Sequence, residues 1–172
     1  MPILHFDSRR LARGLRTAAA YRALDQTEAC GGTWCEGGCA LLAFALSNLI
    51  RGSTVMALCA PRTKPQHLIV RLPEGRYVDG HGISTRRALL WHWRWIEHHH
   101  GPITLRRSTL SHLDRTEIPH DPQDIAIIRA FLARTLYPPI RQGDPRGHTP
   151  DLAPIPPTGS TRPVHRDRMN TE

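Results

Sequence analysis

The feature that most constrains the fold is the apolar segment 39–50, CALLAFALSNLI, which directly follows Gly37 and Gly38. Its leucine and alanine content favours an α-helix, and Gly52 suits the position just beyond a helix end. Because nearly every position is apolar, no face of such a helix is suited to water. The segment therefore predicts a buried helix at the centre of the fold, with Cys39 in its first turn.

Short segments rich in β-branched residues predict an antiparallel sheet beside this helix. Residues 54–59 form one candidate strand, and residues 67–72 and 76–79 form two more, joined by the turn sequence Pro-Glu-Gly at 73–75. Amphipathic segments predict further helices over 8–24, 84–98 and 121–137. The fold class is therefore predicted to be α+β, with the central Cys39-bearing helix packed on a small antiparallel sheet and flanking helices around it.

Helix starts and domain limits follow from single residues and from composition. The predicted N-caps are Asp7 or Ser8 for the first helix, Ser84 for the third and Asp121 for the last.

Residues 1–140 are predicted to form one domain. Residues 141–172 are rich in proline and arginine with hardly any apolar periodicity, which predicts a disordered tail.

The charge of the chain bears on its partners. The 172 residues carry a formal charge of +8, almost all of it from arginine, since Lys64 is the only lysine. A basic surface favours nucleic acid or acidic partners. The arginines are scattered and do not form one run, so nucleic acid is a possible partner but not the favoured one.

Cysteine usage and hydropathy bear on location. The chain has no apolar run of about eighteen residues and no apolar signal-peptide region, so no membrane segment is expected. Its four cysteines, Cys30, Cys35, Cys39 and Cys59, are interpreted as free thiols and not as a disulfide framework. A cytoplasmic location is expected.

Cys39, His67 and Asp79 carry side chains whose chemistry can be combined. The partial positive charge of a helix N-terminus and a neighbouring imidazolium both lower the pKa of a thiol, so a reactive thiolate is expected at Cys39. His67 opens one strand of the predicted hairpin and Asp79 lies on the other, and counting back from the turn brings them near each other. The expected roles are nucleophile, general base and acid, and orienting carboxylate.

These residues also carry a family resemblance. Gly-Gly-Cys at 37–39, HLIVRL at 67–72 and GRYVDG at 75–80 resemble the core of the papain-like and transglutaminase-like thiol superfamily. Its members share a central helix that bears the cysteine and an antiparallel sheet that bears the histidine and the aspartate, in that order. The resemblance covers about residues 30–82 and implies the same three roles for Cys39, His67 and Asp79.

The loop 25–38 is expected to form a wall of the substrate site, because its length and glycine content suit a site better than a connector. Trp34 and Glu36 are its candidate substrate-binding residues. His81, two residues after Asp79, can contact substrate or take the place of Asp79.

An acyl-transfer site also needs donors for a developing oxyanion. The amide of Cys39 is one candidate. The second donor is left open among Gln26, Trp34 and the amides of Gly37 and Gly38, which makes Gly38 a further substrate-binding candidate.

Other clusters predict neither a metal nor a cofactor. The adjacent residues His98, His99 and His100 point in different directions on a helix, and the cysteine spacings do not match zinc sites. No glycine pattern of a nucleotide-binding loop is present. The tryptophans at 91, 93 and 95 spread over more than one helix face, which predicts packing residues, with a partner-binding face as the alternative.

The function expected from the sequence is that of a cysteine-dependent hydrolase or acyl transferase. The substrate is expected to be a protein, a peptide or another amide-bearing compound, attacked through an acyl-enzyme. Peptidase, amidase, deamidase and transglutaminase activities use the same three residues and stay open. The alternative is a catalytically inactive papain-like fold that serves as a basic binding module for nucleic acid or an acidic protein.

Overall fold

The computed structural model describes residues 7–29, 31–60, 64–95, 101–114 and 116–137. These ranges contain five α-helices, one 3-10 turn and five strands, which confirms the predicted α+β class. The helices are α1 (Ser8–Gly14), α2 (Ala18–Leu24), α3 (Cys39–Leu49), α4 (Arg86–Trp95) and α5 (Pro122–Leu136), and the 3-10 turn is Leu110–His112. The strands are β1 (Thr54–Cys59), β2 (His67–Arg71), β3 (Tyr77–Asp79), β4 (Gly82–Ser84) and β5 (Thr104–Arg107).

The strands form one antiparallel sheet in the order β4-β3-β2-β1-β5, so β2 lies in the middle. Every residue of β2 has a partner in β1. The ladder between β2 and β3 is shorter and consists of the pairs Val70–Val78 and Arg71–Tyr77. His67, the first residue of β2, therefore lies beyond the end of that ladder.

The hairpin formed by β2 and β3 has the predicted turn. The backbone N–H of Leu72 donates to the carbonyl of Arg76, and Gly75 has a φ of +86°, which glycine adopts without strain. The third strand of this meander, β4, was not predicted: its three residues are too few for an alternating pattern, and Ser84 belongs to it instead of capping a helix.

The two faces of the sheet are covered by different helices. Leu68 and Val70 of β2 belong to the larger core, which also contains the buried residues of α3 and α5. Ile69, which points the other way, packs with Leu89 and Trp93 of α4 in a second, smaller cluster. Alternation along β2 therefore sends side chains in turn to the α3 face and to the α4 face.

The predicted central helix is confirmed as α3, although it ends at Leu49, one residue before the predicted end. Seven of its eleven residues are buried. Gly37 precedes it with a φ of +86°, in the left-handed region, and Gly52 follows it with a φ of +79°. Both glycines therefore occupy conformations that reverse the chain direction at the helix ends.

The single helix predicted over residues 8–24 is wrong, because the chain breaks into α1 and α2 at Thr17. The Thr17 hydroxyl donates to the carbonyl of Gly14 and accepts from the N–H of Ala20, so it caps a new helix. Asp7, one of the two predicted N-caps, caps α1 through the N–H groups of Arg9 and Arg10.

The boundaries of α4 and α5 refine the other two helix predictions. α4 begins at Arg86, later than predicted, and the Thr85 hydroxyl accepts from the N–H of Ala88 in its first turn. Residues 96–98, the predicted end of that helix, lie outside the described residues. α5 begins after Asp121, whose carboxylate accepts from the N–H of Gln123, as predicted.

The described residues all belong to one compact unit. The predicted domain limit at residue 140 and the tail at 141–172 lie outside them. None of the helices in the described ranges has the length and apolar character that crossing a bilayer requires.

Candidate active site

Cys39 occupies the first position of α3 and is almost fully enclosed, with 4% of its surface exposed. Burial raises the pKa of the Cys39 thiol, and the nearby backbone groups of Leu68, Ala40 and Cys39 itself offset only part of that rise. The expected lowering of this pKa is therefore corrected: the helix N-terminus contributes, but burial dominates.

His67 and Asp79 are brought together on the α4 face of the sheet. Since Val78 pairs with Val70, Asp79 falls diagonally across from His67 on the same face. The Oδ2 atom of Asp79 lies 4.0 Å from the Nε2 atom of His67, with 5% and 0% of the side chains exposed. This separation is longer than a hydrogen bond, and the two groups form an ion pair only when His67 is protonated.

The other oxygen of Asp79 has a backbone partner. Its Oδ1 atom accepts a hydrogen bond of 2.9 Å from the N–H of His81. The turn after β3 therefore fixes the carboxylate in the orientation that directs Oδ2 towards His67.

Cys39 and His67 approach the start of β2 from different sides. Cys39 belongs to the larger core with Leu68, whereas the His67 ring packs on Trp93 of α4. The Leu68 backbone, next to His67, lies close enough to the thiol to lower its pKa. The structure thus brings the His67 and Asp79 side chains together, and it places Cys39 near the same end of β2 but on the other side of the strand.

Trp93 is a site residue that sequence reasoning missed. Its ring centroid lies 4.3 Å from that of His67, with 33° between the ring planes, and 5% of the residue is exposed. The alternating tryptophans gave no means of telling which one faces the sheet. The hydrophobic stripe with Leu89, four residues earlier, is the feature that singles out Trp93.

A pocket of about 400 Å³ lies beside these residues. Its walls come from the chain segments that adjoin the three predicted catalytic residues. They are Thr33, Trp34, Cys35 and Glu36 before Cys39, Gln66 before His67, Gly80 and His81 after Asp79, and Trp93 with Tyr21.

Three of the four predicted substrate-binding residues line this pocket: Trp34, Glu36 and His81. Glu36 and His81 are exposed and supply its ionisable groups. Trp34 is 3% exposed, and its indole N–H donates to the carbonyl of Leu15 at 2.9 Å, so it also anchors the loop to α1. Gln66 and Gly80 were not predicted, and only their positions next to His67 and Asp79 could have indicated them.

Gly38 has a packing role. A Cβ atom at this position would lie 2.9 Å from both the Leu24 side chain and the carbonyl oxygen of Thr33. Its own N–H donates to that same carbonyl at 3.0 Å. Glycine is therefore required for the close approach of the loop to α3.

The set of candidate oxyanion donors that the sequence left open can now be reduced. The amide of Gly38 and the indole of Trp34 are already hydrogen-bonded to backbone carbonyls, and Gln26 lines a different pocket, together with Phe131 of α5. Leu68, not considered from the sequence, provides an amide beside the thiol.

Two histidine rings, those of His81 and His92, are in contact beside the pocket. The rings of His81 and His92 lie with their centroids 4.3 Å apart. Across the described ranges, no group of three or more His, Cys, Asp or Glu residues is placed to hold a metal ion. His98, His99 and His100 lie outside those ranges.

No known family matches the chain. Comparison with protein-family models, with curated proteins and with solved structures found nothing similar. The resemblance to papain-like and transglutaminase-like proteins therefore stays a prediction, and the function has to be argued from the chemistry of the site.

Proposed function

We propose that this protein is a cysteine-dependent hydrolase or acyl transferase that uses Cys39, His67 and Asp79. The observation that carries the proposal is the convergence at the start of β2. A thiol in the first turn of a buried helix lies close enough to the Leu68 backbone for that group to lower its pKa, and the residue before Leu68 is a buried histidine beside a buried aspartate.

The raised pKa of Cys39 decides how attack begins. A thiol that keeps its proton at neutral pH needs a base at the moment of reaction, because the thiolate is the nucleophile. Since Nε2 of His67 faces Asp79, we assign Nδ1 to take the thiol proton, a transfer that requires the ring and the thiol, which approach β2 from different sides, to come together at the start of the strand. Asp79 stabilises the resulting imidazolium by its charge.

The acyl transfer then follows in two steps. The sulfur of Cys39 bonds to the carbonyl carbon, and the oxyanion is stabilised by N–H groups of the α3 N-terminus and of Leu68. The bond to the leaving group breaks as His67 returns the proton to it, which leaves a thioester on Cys39. Water or an amine attacks the thioester and regenerates the thiol.

The substrate class proposed is a protein, a peptide or another amide-bearing compound that enters the pocket between Glu36 and His81. A cytoplasmic location fits this chemistry, because a thiol nucleophile needs a reducing compartment. Cys39 and Cys59 are free thiols in the structure.

An activated ester tests the proposal without knowledge of the substrate. p-Nitrophenyl acetate should give a burst of p-nitrophenolate and a single acetyl adduct, which peptide mapping should locate at Cys39. Cys39→Ala should abolish the adduct and His67→Ala should slow it. An adduct that maps to Cys35 or Cys59 instead, or a rate that is unchanged in His67→Ala, would overturn the proposal in favour of the non-catalytic binding module.

A further inference from the structure

The outer face of α4 combines exposed aromatic rings with positive charge. Trp91 and Trp95 are 58% and 61% exposed, and a spacing of four residues puts them on one side of the helix. Arg87 is four residues before Trp91 and Arg94 adjoins Trp95, and both arginines are exposed. We call this set, Arg87, Trp91, Arg94 and Trp95, the α4 outer face.

The described residues of the segments that form this face carry positive charge only, although Glu97, outside the described ranges, follows Trp95 in the sequence. Residues 80–95 and 101–107 contain five arginines and no aspartate or glutamate. Leu105 of β5 packs against the cluster that contains Leu89 and Trp93, so Arg107, two residues later, lies on the same side of the sheet as α4. The fold thus places Arg107, distant in sequence, on the side of the sheet that α4 covers.

The two exposed tryptophans also share a concave site. Trp91, Arg94 and Trp95 line a pocket of about 320 Å³ with Gly101, Pro102 and Ile103, the segment that leads into β5. An aromatic pocket bordered by arginine suits a flat ring attached to an anion.

We propose that the α4 outer face binds single-stranded nucleic acid, with Trp91 and Trp95 stacking on bases and Arg87 and Arg94 neutralising phosphates. Aromatic stacking combined with a basic groove is how proteins bind single strands without sequence preference. None of these residues has a role in the proposed acyl transfer, so the binding does not depend on that catalysis, although Trp91 lines a pocket of about 230 Å³ together with Asp79 and His81.

A membrane surface fits the same face less well. The apolar stripe of α4, formed by Leu89 and Trp93, is already buried against the sheet. On the outer face Arg94 lines the same pocket as Trp91 and Trp95, so inserting the two rings into a bilayer would also remove a charge from water. Stacking on bases leaves the guanidinium in water beside a phosphate.

The test is a fluorescence-anisotropy titration of the full chain into a labelled oligothymidylate at several salt concentrations. We expect Trp91→Ala/Trp95→Ala to weaken binding about tenfold or more and to leave the salt dependence unchanged. We expect Arg87→Gln/Arg94→Gln to weaken binding and to reduce the slope of log K against log salt by about 1.4.

A charge-matched control is available on α1. Arg9→Gln/Arg13→Gln removes two exposed arginines outside the α4 outer face and should change affinity and slope much less. The proposal is overturned if this control weakens binding as much as Arg87→Gln/Arg94→Gln, or if the tryptophan variant binds as the wild type does. Absence of oligothymidylate binding, or tryptophan-dependent binding to phosphatidylglycerol vesicles in its place, would overturn it equally.

Discussion

The Oδ2 atom of Asp79 lies 4.0 Å from the Nε2 atom of His67, and the two side chains are buried together between the sheet and α4. The same carboxylate accepts the N–H of His81 through Oδ1. The turn that follows β3 therefore determines where the charge beside His67 lies. The pocket-lining residues Gly80 and His81 belong to that turn, which couples the wall of the pocket to the orientation of the histidine.

Asp79→Asn tests the role of this charge. Asparagine keeps an oxygen for the N–H of His81 and loses the negative charge beside His67. We expect acylation of Cys39 by p-nitrophenyl acetate to slow by about tenfold to a hundredfold. Glu74→Gln is the matched control, since it removes an exposed carboxylate of the same hairpin, paired with Arg76, and should leave the rate unchanged. Equal rates for the two variants would contradict the assigned role.

Trp34→Phe tests the anchor of the loop. The substitution removes the hydrogen bond from the indole to the carbonyl of Leu15, in a buried setting, and should lower the free energy of unfolding by about 1–3 kcal/mol. Trp91→Phe is the comparison, because Trp91 is 58% exposed and its loss should cost less than about 0.5 kcal/mol. Urea denaturation followed by circular dichroism measures both. Similar losses would show that the indole hydrogen bond adds little.

The sequence was sufficient for the parts of the fold that local physics determines. The apolar run of α3 predicts a buried helix, the turn sequence at 73–75 predicts a hairpin, and both predictions are confirmed. The break between α1 and α2 was missed because the apolar stripe continues across it. The Thr17 hydroxyl donates a hydrogen bond to the carbonyl of Gly14 and caps α2, and the spacing of apolar residues does not indicate this. β4 was missed because its three residues are too few to show an alternating pattern, although its hairpin with β3 is local, with Asp79 opposite Gly82.

Stability should fall at alkaline pH through the two buried thiols. Burial raises the pKa of both Cys39 and Cys59, so the folded protein keeps these protons to higher pH than the unfolded chain does. The unfolded chain releases them from about pH 8.5 upward. The contribution to stability is therefore fully present below that pH and is lost as the pH rises through the folded pKa values.

Cys39→Ala/Cys59→Ala removes both groups and should flatten this decline. The measurement is the free energy of unfolding in urea between pH 7 and pH 10, compared with the wild type. The double variant will be less stable at pH 7 because it loses buried volume, so the slope with pH is the informative quantity. A slope equal to that of the wild type would contradict the raised pKa values.

Gly80→Ala tests the close approach between the turn after β3 and the loop before α3. A Cβ atom at position 80 would lie 2.7 Å from both the Sγ atom of Cys35 and the Cβ atom of Trp34. Such overpacking should cost about 1–3 kcal/mol of unfolding free energy. In a Cys35→Ala background one of the two close contacts is gone, so part of the loss should be recovered. Urea denaturation of the four proteins gives the coupling, and no recovery would contradict the contact.

The site was less predictable than the fold. Counting residues from the hairpin turn was enough to bring His67 near Asp79, because strand register is a local rule. The pKa of Cys39 was expected to be low because the helix N-terminus is visible in the sequence, whereas the burial that reverses the shift depends on the whole core. Trp93 lies on the apolar stripe of α4 with Leu89, but only tertiary packing brings it to His67, and no sequence pattern indicates Gln66.

The most direct test of the central claim is the rate of alkylation of individual cysteines by iodoacetamide at neutral pH, resolved by peptide mass mapping. Cys39 and Cys59 are each 4% exposed and each have a raised pKa, so burial alone predicts similar, slow rates. With His67 as a base, Cys39 should react about tenfold faster or more. His67→Ala should abolish that advantage and leave the rate of Cys59 unchanged, which also verifies that the variant is folded. If Cys39 reacts no faster than Cys59, or equally fast without His67, the proposed thiol mechanism is wrong.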